Sequence, residues 1–352
     1  MKKTFIYLSI LGSFLTSCSN DDNDANIPKG NYSDGIWIVN QGNFGSGNAS
    51  LSFYDGTIEN SVFNTVNSLD LGDTAQSSVI EEDKLYVVVN ASNKITVINR
   101  HTGKLITEID TGLNNPRYAV KANSHQLYVS NWGGGSDASD DFIAVINTET
   151  NTVEKTIPVT EGPEKLVLLN NKVYVLHRGG WGYGSTVSSI DITTESVTSV
   201  KVGDIPGSYD VNGNDLYILC EGNPSYATTE TEGKLFKVDT SNNSVSQIID
   251  FNRNGTIKEH PTNFQLSDNE LNTGYYEMSG TIYKENLTSN EVSTILENVS
   301  MNDMKIKGTD LYYTNPGDYL SAGSFVQYNL ATQTEVKRVA TAIIPGDITI
   351  TP

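Results

Sequence analysis

Short apolar strings return along this chain at a nearly constant spacing, each bounded by glycine, asparagine, aspartate or serine. Seven stand out: Ile36-Trp37-Ile38-Val39-Asn40, residues 85–90, 127–131, 173–177 and 216–219, a weaker one at 271–276, and 311–315. Their starts are roughly 40 to 55 residues apart, the period expected when each repeat is one four-stranded sheet. Before most of them stands a segment opened by proline, as in Asn115-Pro116-Arg117-Tyr118, Gly162-Pro163-Glu164-Lys165, Ile205-Pro206-Gly207-Ser208-Tyr209 and His260-Pro261-Thr262-Asn263-Phe264. It reads as the innermost strand of a unit, followed by a short polar turn and the apolar second strand. A variable loop leads to a third strand, such as 95–99 or 143–147, and a hairpin turn leads to an outer strand, such as 105–109. Alternation on the outer strand fits one packed face and one wet face.

The pattern predicts an all-β fold, a seven-bladed β-propeller. The degenerate unit at 271 leaves six or eight blades as other counts, and a β-sandwich is the other fold class. The two ends of the chain favour a ring. Residues 344–350 repeat the innermost-strand opening with no second strand after it, while the unit at Gly35 has a second strand with no opening before it. Pairing the C-terminal strand into the N-terminal blade closes the ring and leaves no free sheet edge.

In such a ring, the loops from second to third strand and from outer strand to next inner strand share one end. Here those segments are irregular and rich in glycine and aromatics: 41–48, 132–137, 178–184, 221–226 and 316–320. The turns at the other end are short and polar. Glycine allows close backbone approach to a ligand, and Trp and Tyr supply flat apolar area with a polar edge. The loop end is therefore the expected binding face. Its candidate ligand-binding residues are Asn43, Phe44, Arg117, Tyr118, Trp132, His177, Arg178, Trp181, Tyr183, Tyr209, Asn223, Tyr226 and Tyr319, with Phe264 beside them.

Charge narrows the partners. With 42 acidic against 23 basic residues, the chain lacks the basic footprint that nucleic acid requires. Two cysteines, Cys18 and Cys220, provide no disulfide framework for the domain. Cys220 follows Tyr217-Ile218-Leu219 and reads as a small buried hydrophobe. Cys18 differs. Lys2-Lys3 is a basic start, 5–15 is apolar but too short to span a bilayer, and Leu15-Thr16-Ser17-Cys18 resembles a lipobox, whose cysteine is cleaved and lipidated. The acidic run Ser19-Asn20-Asp21-Asp22-Asn23-Asp24 looks like the surface-export signal of Bacteroidota lipoproteins, and also reads as a solvated tether. The expected organisation is a signal peptide over 1–17, an acidic flexible tether over 18–32 and the propeller over 33–352. The lipid on Cys18 is the expected membrane contact, at the outer membrane and facing the exterior.

Catalytic constellations are missing. His101, His125, His177 and His260 form no HExxH pair, and no nucleophile elbow or P-loop occurs. The glycines of 42–47 lead into a strand, not a helix, so a dinucleotide fingerprint is rejected. His101 and His125 fall in turns and are expected in solvent; His177 and His260 are expected at the binding end as hydrogen-bonding residues. Asp137, Asp140 and Asp141 are expected to face water rather than hold calcium. The expectation is a binding protein, not an enzyme, with no cofactor and no metal.

The opening stretch from Gly35-Ile36-Trp37-Ile38-Val39-Asn40-Gln41-Gly42-Asn43-Phe44-Gly45 through Ser46-Gly47-Asn48-Ala49-Ser50-Leu51-Ser52-Phe53-Tyr54-Asp55 resembles that of Bacteroidota surface lipoprotein propellers. That family includes the BtuG-type cobalamin-capturing proteins, and the later repeats are similar to YVTN/YncE-like propellers. The resemblance covers residues 33–352. It implies a propeller that captures a corrinoid (cobalamin) at the cell surface and passes it to a TonB-dependent outer-membrane transporter. A corrinoid is large, flat and fringed with amides, which suits Trp, Tyr and Asn around a broad funnel. Two alternatives remain at this stage: a recognition module for a glycan, peptide or cell-wall fragment, and a propeller enzyme of lactonase or quinoprotein type.

Overall fold

The computed structural model describes residues 31–252, 255 and 258–352. Cys18, the segment read as a signal peptide and most of the tether lie outside them. Seven four-stranded antiparallel sheets follow one another, and six of them run from inner to outer strand in chain order. Blade 1 holds strands Ile36–Asn40, Ser50–Tyr54 and Ile58–Glu59. Blades 2 to 7 occupy 75–109, 116–158, 163–201, 206–250, 262–297 and 303–343. The degenerate unit forms a full blade, with Thr273–Met278 as its second strand. The fold is the seven-bladed propeller.

Ring closure follows the pattern at the two ends. Strand Pro345–Ile350 pairs antiparallel with Ile36–Asn40, placing Ile350 opposite Ile36 and Ile348 opposite Ile38. Blade 1 thus takes its innermost strand from the end of the chain.

Burial explains the strand types. Second strands such as Lys84–Val89 lie between two neighbouring blades and bury side chains on both faces, whereas the outer strand Leu105–Ile109 alternates. The core is accordingly divided into layers, one at each blade boundary. Trp37, Phe53, Phe63, Leu85 and Val87 fill the layer between blades 1 and 2. Val175, Tyr128 and Val145 belong to the layer between blades 3 and 4. The closing layer, between blades 7 and 1, is the smallest: Ile36, Ile38, Tyr54, Phe325 and Ile348.

Blade 1 departs from the repeat on its outer side. Its outer strand has two residues, and a helix at Val62–Asn67 follows, burying Val62 and Phe63 against blade 2. The start of the domain is also fixed from outside the sheets. Tyr32, expected in the tether, is buried with its ring 5.4 Å from Trp37 and 5.3 Å from Phe53. His101, expected in solvent, is buried as well, with Nδ1 3.1 Å from Ser33 Oγ and Nε2 3.0 Å from Asp83. Tyr32 and Ser33 cover it, a contact between distant segments that no local pattern encodes. His125 does sit in an exposed turn, 3.0 Å from Glu149.

These contacts place both chain ends. Tyr32 N–H donates to His101 O, in a third-to-outer-strand turn, and Thr351 N–H donates to Gly35 O. Both ends of the described domain therefore emerge at the turn end, opposite the aromatic loops.

Candidate functional site

Proline sets the inner wall of the ring. Aligning the inner-strand openings on Pro116, Pro163, Pro206, Pro261 and Pro345 puts Tyr118, Lys165, Ser208, Asn263 and Asp347 two positions later. All of these line a central cavity of about 310 Å³. One position after proline come Arg117, Glu164, Gly207, Thr262 and Gly346, of which Glu164, Gly207 and Thr262 line a smaller cavity of about 230 Å³ nearer the loop end. Tyr118, Lys165 and Asn263 belong to both walls, so the two form one stepped funnel. Register shifts after Pro116, Pro163 and Pro206 bend these strands at the funnel mouth.

The funnel is polar and charged. Asp303 lies between two ammonium groups, Lys165 at 4.0 Å and Lys305 at 3.8 Å. Burial, reinforced by the charge of Asp303, pushes the Asp347 carboxyl up to about 6. The charge of Asp303 in turn raises the Lys305 ammonium, against burial. Tyr209 donates its hydroxyl to Leu166 O at 2.8 Å, and burial pushes that phenol up to about 12. Tyr118 accepts from Gln76 Nε2 at 3.2 Å.

Above the funnel lies a ring of side chains spread over blades 3 to 5. Arg117 forms a two-pronged pair with Glu164 at 2.9 and 3.0 Å, and its guanidinium stacks 4.0 Å above the Trp132 ring. Trp132 meets Trp181 edge-on at 5.7 Å. Trp132 is buried, while Trp181 is 74% exposed. Gly180 makes the approach possible: its φ is +59°, and a Cβ there would lie 2.5 Å from Gly135 O. The Trp181 N–H then reaches that same carbonyl at 2.9 Å. Arg178 pairs with Glu221 at 2.8 Å, and Asn223 holds its own loop through Thr231 and Asp204.

A second group stands on blades 7 and 1. Asn43 Nδ2 donates to Tyr319 O at 2.8 Å, joining the two loops, and Phe44 projects into solvent beside them. Leu320, in the same loop, is exposed next to Tyr319. Phe44, Trp181, Tyr183, Tyr226 and Tyr319 are the exposed large aromatics of the described residues, and every one is on the loop end.

The candidate residues thus separate into three sets. Trp181, Tyr183, Tyr226, Phe44, Asn43 and Tyr319 are on the open face, with Arg178 and Arg117 beneath them. Tyr118 and Tyr209 are deeper, on the funnel wall. His177 is in neither place: it is 1% exposed, bonds Ser188 Oγ at 2.8 Å, and has its pKa pushed down to about 4 by burial. It supports the blade. His260 lies 3.0 Å from Glu221 O and 3.3 Å from Glu230. Phe264 is buried in the layer between blades 5 and 6. The loop aspartates are held by backbone amides: Asp140 accepts from Gly134 N–H and Asp137 from Ser139 N–H, while Asp141, expected to face water, is buried and accepts from Gly162 N–H at the entry of the next blade. Among the described residues, no group of three His, Cys, Asp or Glu side chains is arranged to hold a metal ion.

Sequence reasoning missed Glu164, Glu221, Lys165, Lys305, Asp303 and Asp347. The signal was available for three of these, since alignment on proline marks Glu164, Lys165 and Asp347 as wall positions.

Residues 34–316 match the family described as a domain of unknown function, DUF5074, and the chain belongs to that family. No curated protein matches it. Among solved structures it is similar to a functionally unknown protein from Desulfotomaculum acetoxidans, at 13% identity and a TM-score of 0.64, covering 90% of this chain and 99% of that one. It is also similar to a candidate 6-phosphogluconolactonase from Bacteroides fragilis, at 14% identity and a TM-score of 0.62, covering 91% and 98%. Virginiamycin B lyase from Staphylococcus aureus aligns at 12% identity and a TM-score of 0.55, covering 75% and 83%. At these identities the likeness shows the fold alone.

Proposed function

We propose that this protein is a lipid-anchored surface protein that binds a broad, partly apolar ligand across the loop end of its propeller. The ligand proposed is a corrinoid, passed on to a TonB-dependent outer-membrane transporter. One observation carries the binding reading: the exposed large aromatics of the described residues gather on one end, around the mouth of a polar funnel. Exposed aromatics cost free energy in water and suit a ligand that covers them. The two aromatic groups, on blades 3 to 5 and on blades 7 and 1, stand on opposite sides of the mouth. A flat ligand with amide edges would lie across both, with its polar rim over Arg178, Glu221 and Asn302. The choice of corrinoid rests on the resemblance of residues 35–55, and the anchor rests on the lipobox-like string ending at Cys18. The proposal is of capture, not of catalysis.

Calorimetric titration of cyanocobalamin into the purified protein tests the reading. A one-to-one isotherm at micromolar protein or below is expected. Absence of heat from a folded sample would remove the corrinoid and leave the loop end to a glycan, peptide or cell-wall fragment.

A further inference from the structure

Hydrogen-bonding capacity along the funnel is spent unevenly. Its carboxylates each hold a backbone amide across a blade boundary. Asp347 accepts from Ser78 N–H at 2.9 Å, Asp303 from Ile348 N–H at 3.2 Å, and Asp210 from Leu266 N–H at 2.8 Å. These bonds satisfy amides on the free inner edges of the innermost strands, which would otherwise lack a partner. The two ammonium groups have no such task. Lys165 and Lys305 bring three donors each, yet among the described residues neither donates a hydrogen bond to a protein acceptor. The nearest carboxylate oxygens, both on Asp303, lie at 4.0 and 3.8 Å, beyond hydrogen-bond length.

Both lysines face the same 310 Å³ space from opposite walls, in blades 4 and 7. Lys165 also stands at the neck toward the loop end, with Nζ 5.7 Å from the Tyr118 ring. Ser78, Ser208, Gln265 and Thr349 complete a wall with little apolar surface. A partly buried ammonium gains most from a charged acceptor at full hydrogen-bond distance. Three carboxylates, Asp210, Asp303 and Asp347, line the same space, and among the described residues none of them stands within hydrogen-bond length of either ammonium.

We infer that the central channel is a second ligand site, distinct from the aromatic loop face, that takes a small phosphate or carboxylate group between Lys165 and Lys305. The group enters from the loop end past Tyr118 and Asn263. Its oxygens bring both ammoniums to hydrogen-bond length and compete with Asp303 for them. A molecule of a few heavy atoms fits the volume. The inference does not rest on the corrinoid reading.

The test follows thermal unfolding of the purified protein at pH 7 over a titration of sodium phosphate. Sodium succinate runs in parallel, with sodium chloride at matched ionic strength as reference. The expected result is a saturable rise in unfolding temperature with phosphate or succinate, and the anion that saturates at lower concentration identifies the end group. Rises no larger than those in chloride, or rises that never saturate, would overturn the site. Lys165→Gln should weaken the saturable binding by about tenfold, as loss of a charge-assisted donor does. Asp303→Asn should tighten it, because the internal competitor is gone. Should Asp303→Asn fail to fold, Lys165→Gln alone decides, since Lys305 then still faces Asp303: unchanged affinity in that variant contradicts the inference.

Discussion

Two tryptophans that touch one another have opposite roles. Trp132 is buried under the Arg117 guanidinium, so Trp132→Ala opens a cavity and should cost about 3 kcal/mol of stability. Trp181 is largely in solvent, so Trp181→Ala should leave urea unfolding nearly unchanged while weakening ligand binding about tenfold or more. Parallel urea and binding titrations separate the two. His177 makes a pH prediction. Its ring is held neutral by burial, with a pKa near 4 against 6.5 for an ordinary histidine. The unfolded chain takes up a proton there that the fold refuses. This contribution is therefore complete above pH 6.5 and lost as pH falls through 4. Asp141 and Asp347, both pushed up to about 6 chiefly by burial, act in the opposite sense. Their contribution is present below about pH 4 and lost as pH rises through 6. His177→Gln should therefore reduce the stability lost by the protein between pH 7 and 4.5 by about 2 to 3 kcal/mol, read from urea unfolding at the two pH values. An equal pH dependence in protein and variant would mean the ring is not held neutral.

At the scale of elements, the closing strand is the point of greatest leverage. Pro345–Ile350 supplies the innermost strand of blade 1, and Ile348 belongs to the smallest of the apolar layers. Burial of that one side chain contributes about 1.5 to 3 kcal/mol. Ending the chain after Ile343 also exposes the hydrogen-bonding edge of Ile36–Asn40. Such a truncation should broaden thermal unfolding, monitored by circular dichroism, and promote self-association. A sharp transition at an unchanged temperature would show that the closure is dispensable. The strands themselves were legible because the two-residue period and the proline openings repeat. The Val62–Asn67 helix was not, since its three apolar residues, Val62, Phe63 and Val66, span barely more than one turn and are too few to establish a helical period. Nor could the burial of Tyr32 and His101 be read, because their contact joins residues far apart in sequence. The loop face was legible as a composition bias. Its division into exposed Trp181, packed Trp132 and interior His177 was not, because side-chain depth depends on packing between blades.

At the scale of the whole molecule, the ring has two unlike ends. Both termini of the described domain leave from the turn end, while the aromatics and the funnel mouth occupy the other. An anchor attached through the N-terminus would therefore join the molecule on the side away from its binding face. On the proposed exterior-facing anchor, a cysteine placed at Tyr226 should react with a membrane-impermeant maleimide on intact cells, and prior saturation with ligand should block it; no labelling without permeabilisation would contradict that placement. The strong negative charge leaves nucleic acid a poor partner and gives no long-range attraction to anions, so any acid group bound in the channel depends on Lys165 and Lys305. The proposed surface of capture is the loop end. Its most direct test compares cyanocobalamin titrations of the protein and of a Trp181→Ala, Tyr226→Ala double variant of equal thermal stability. Tight one-to-one binding to the protein and a loss of about a hundredfold or more in the variant are expected. Equal affinity in both would contradict it, and would move the site of capture off the aromatic face.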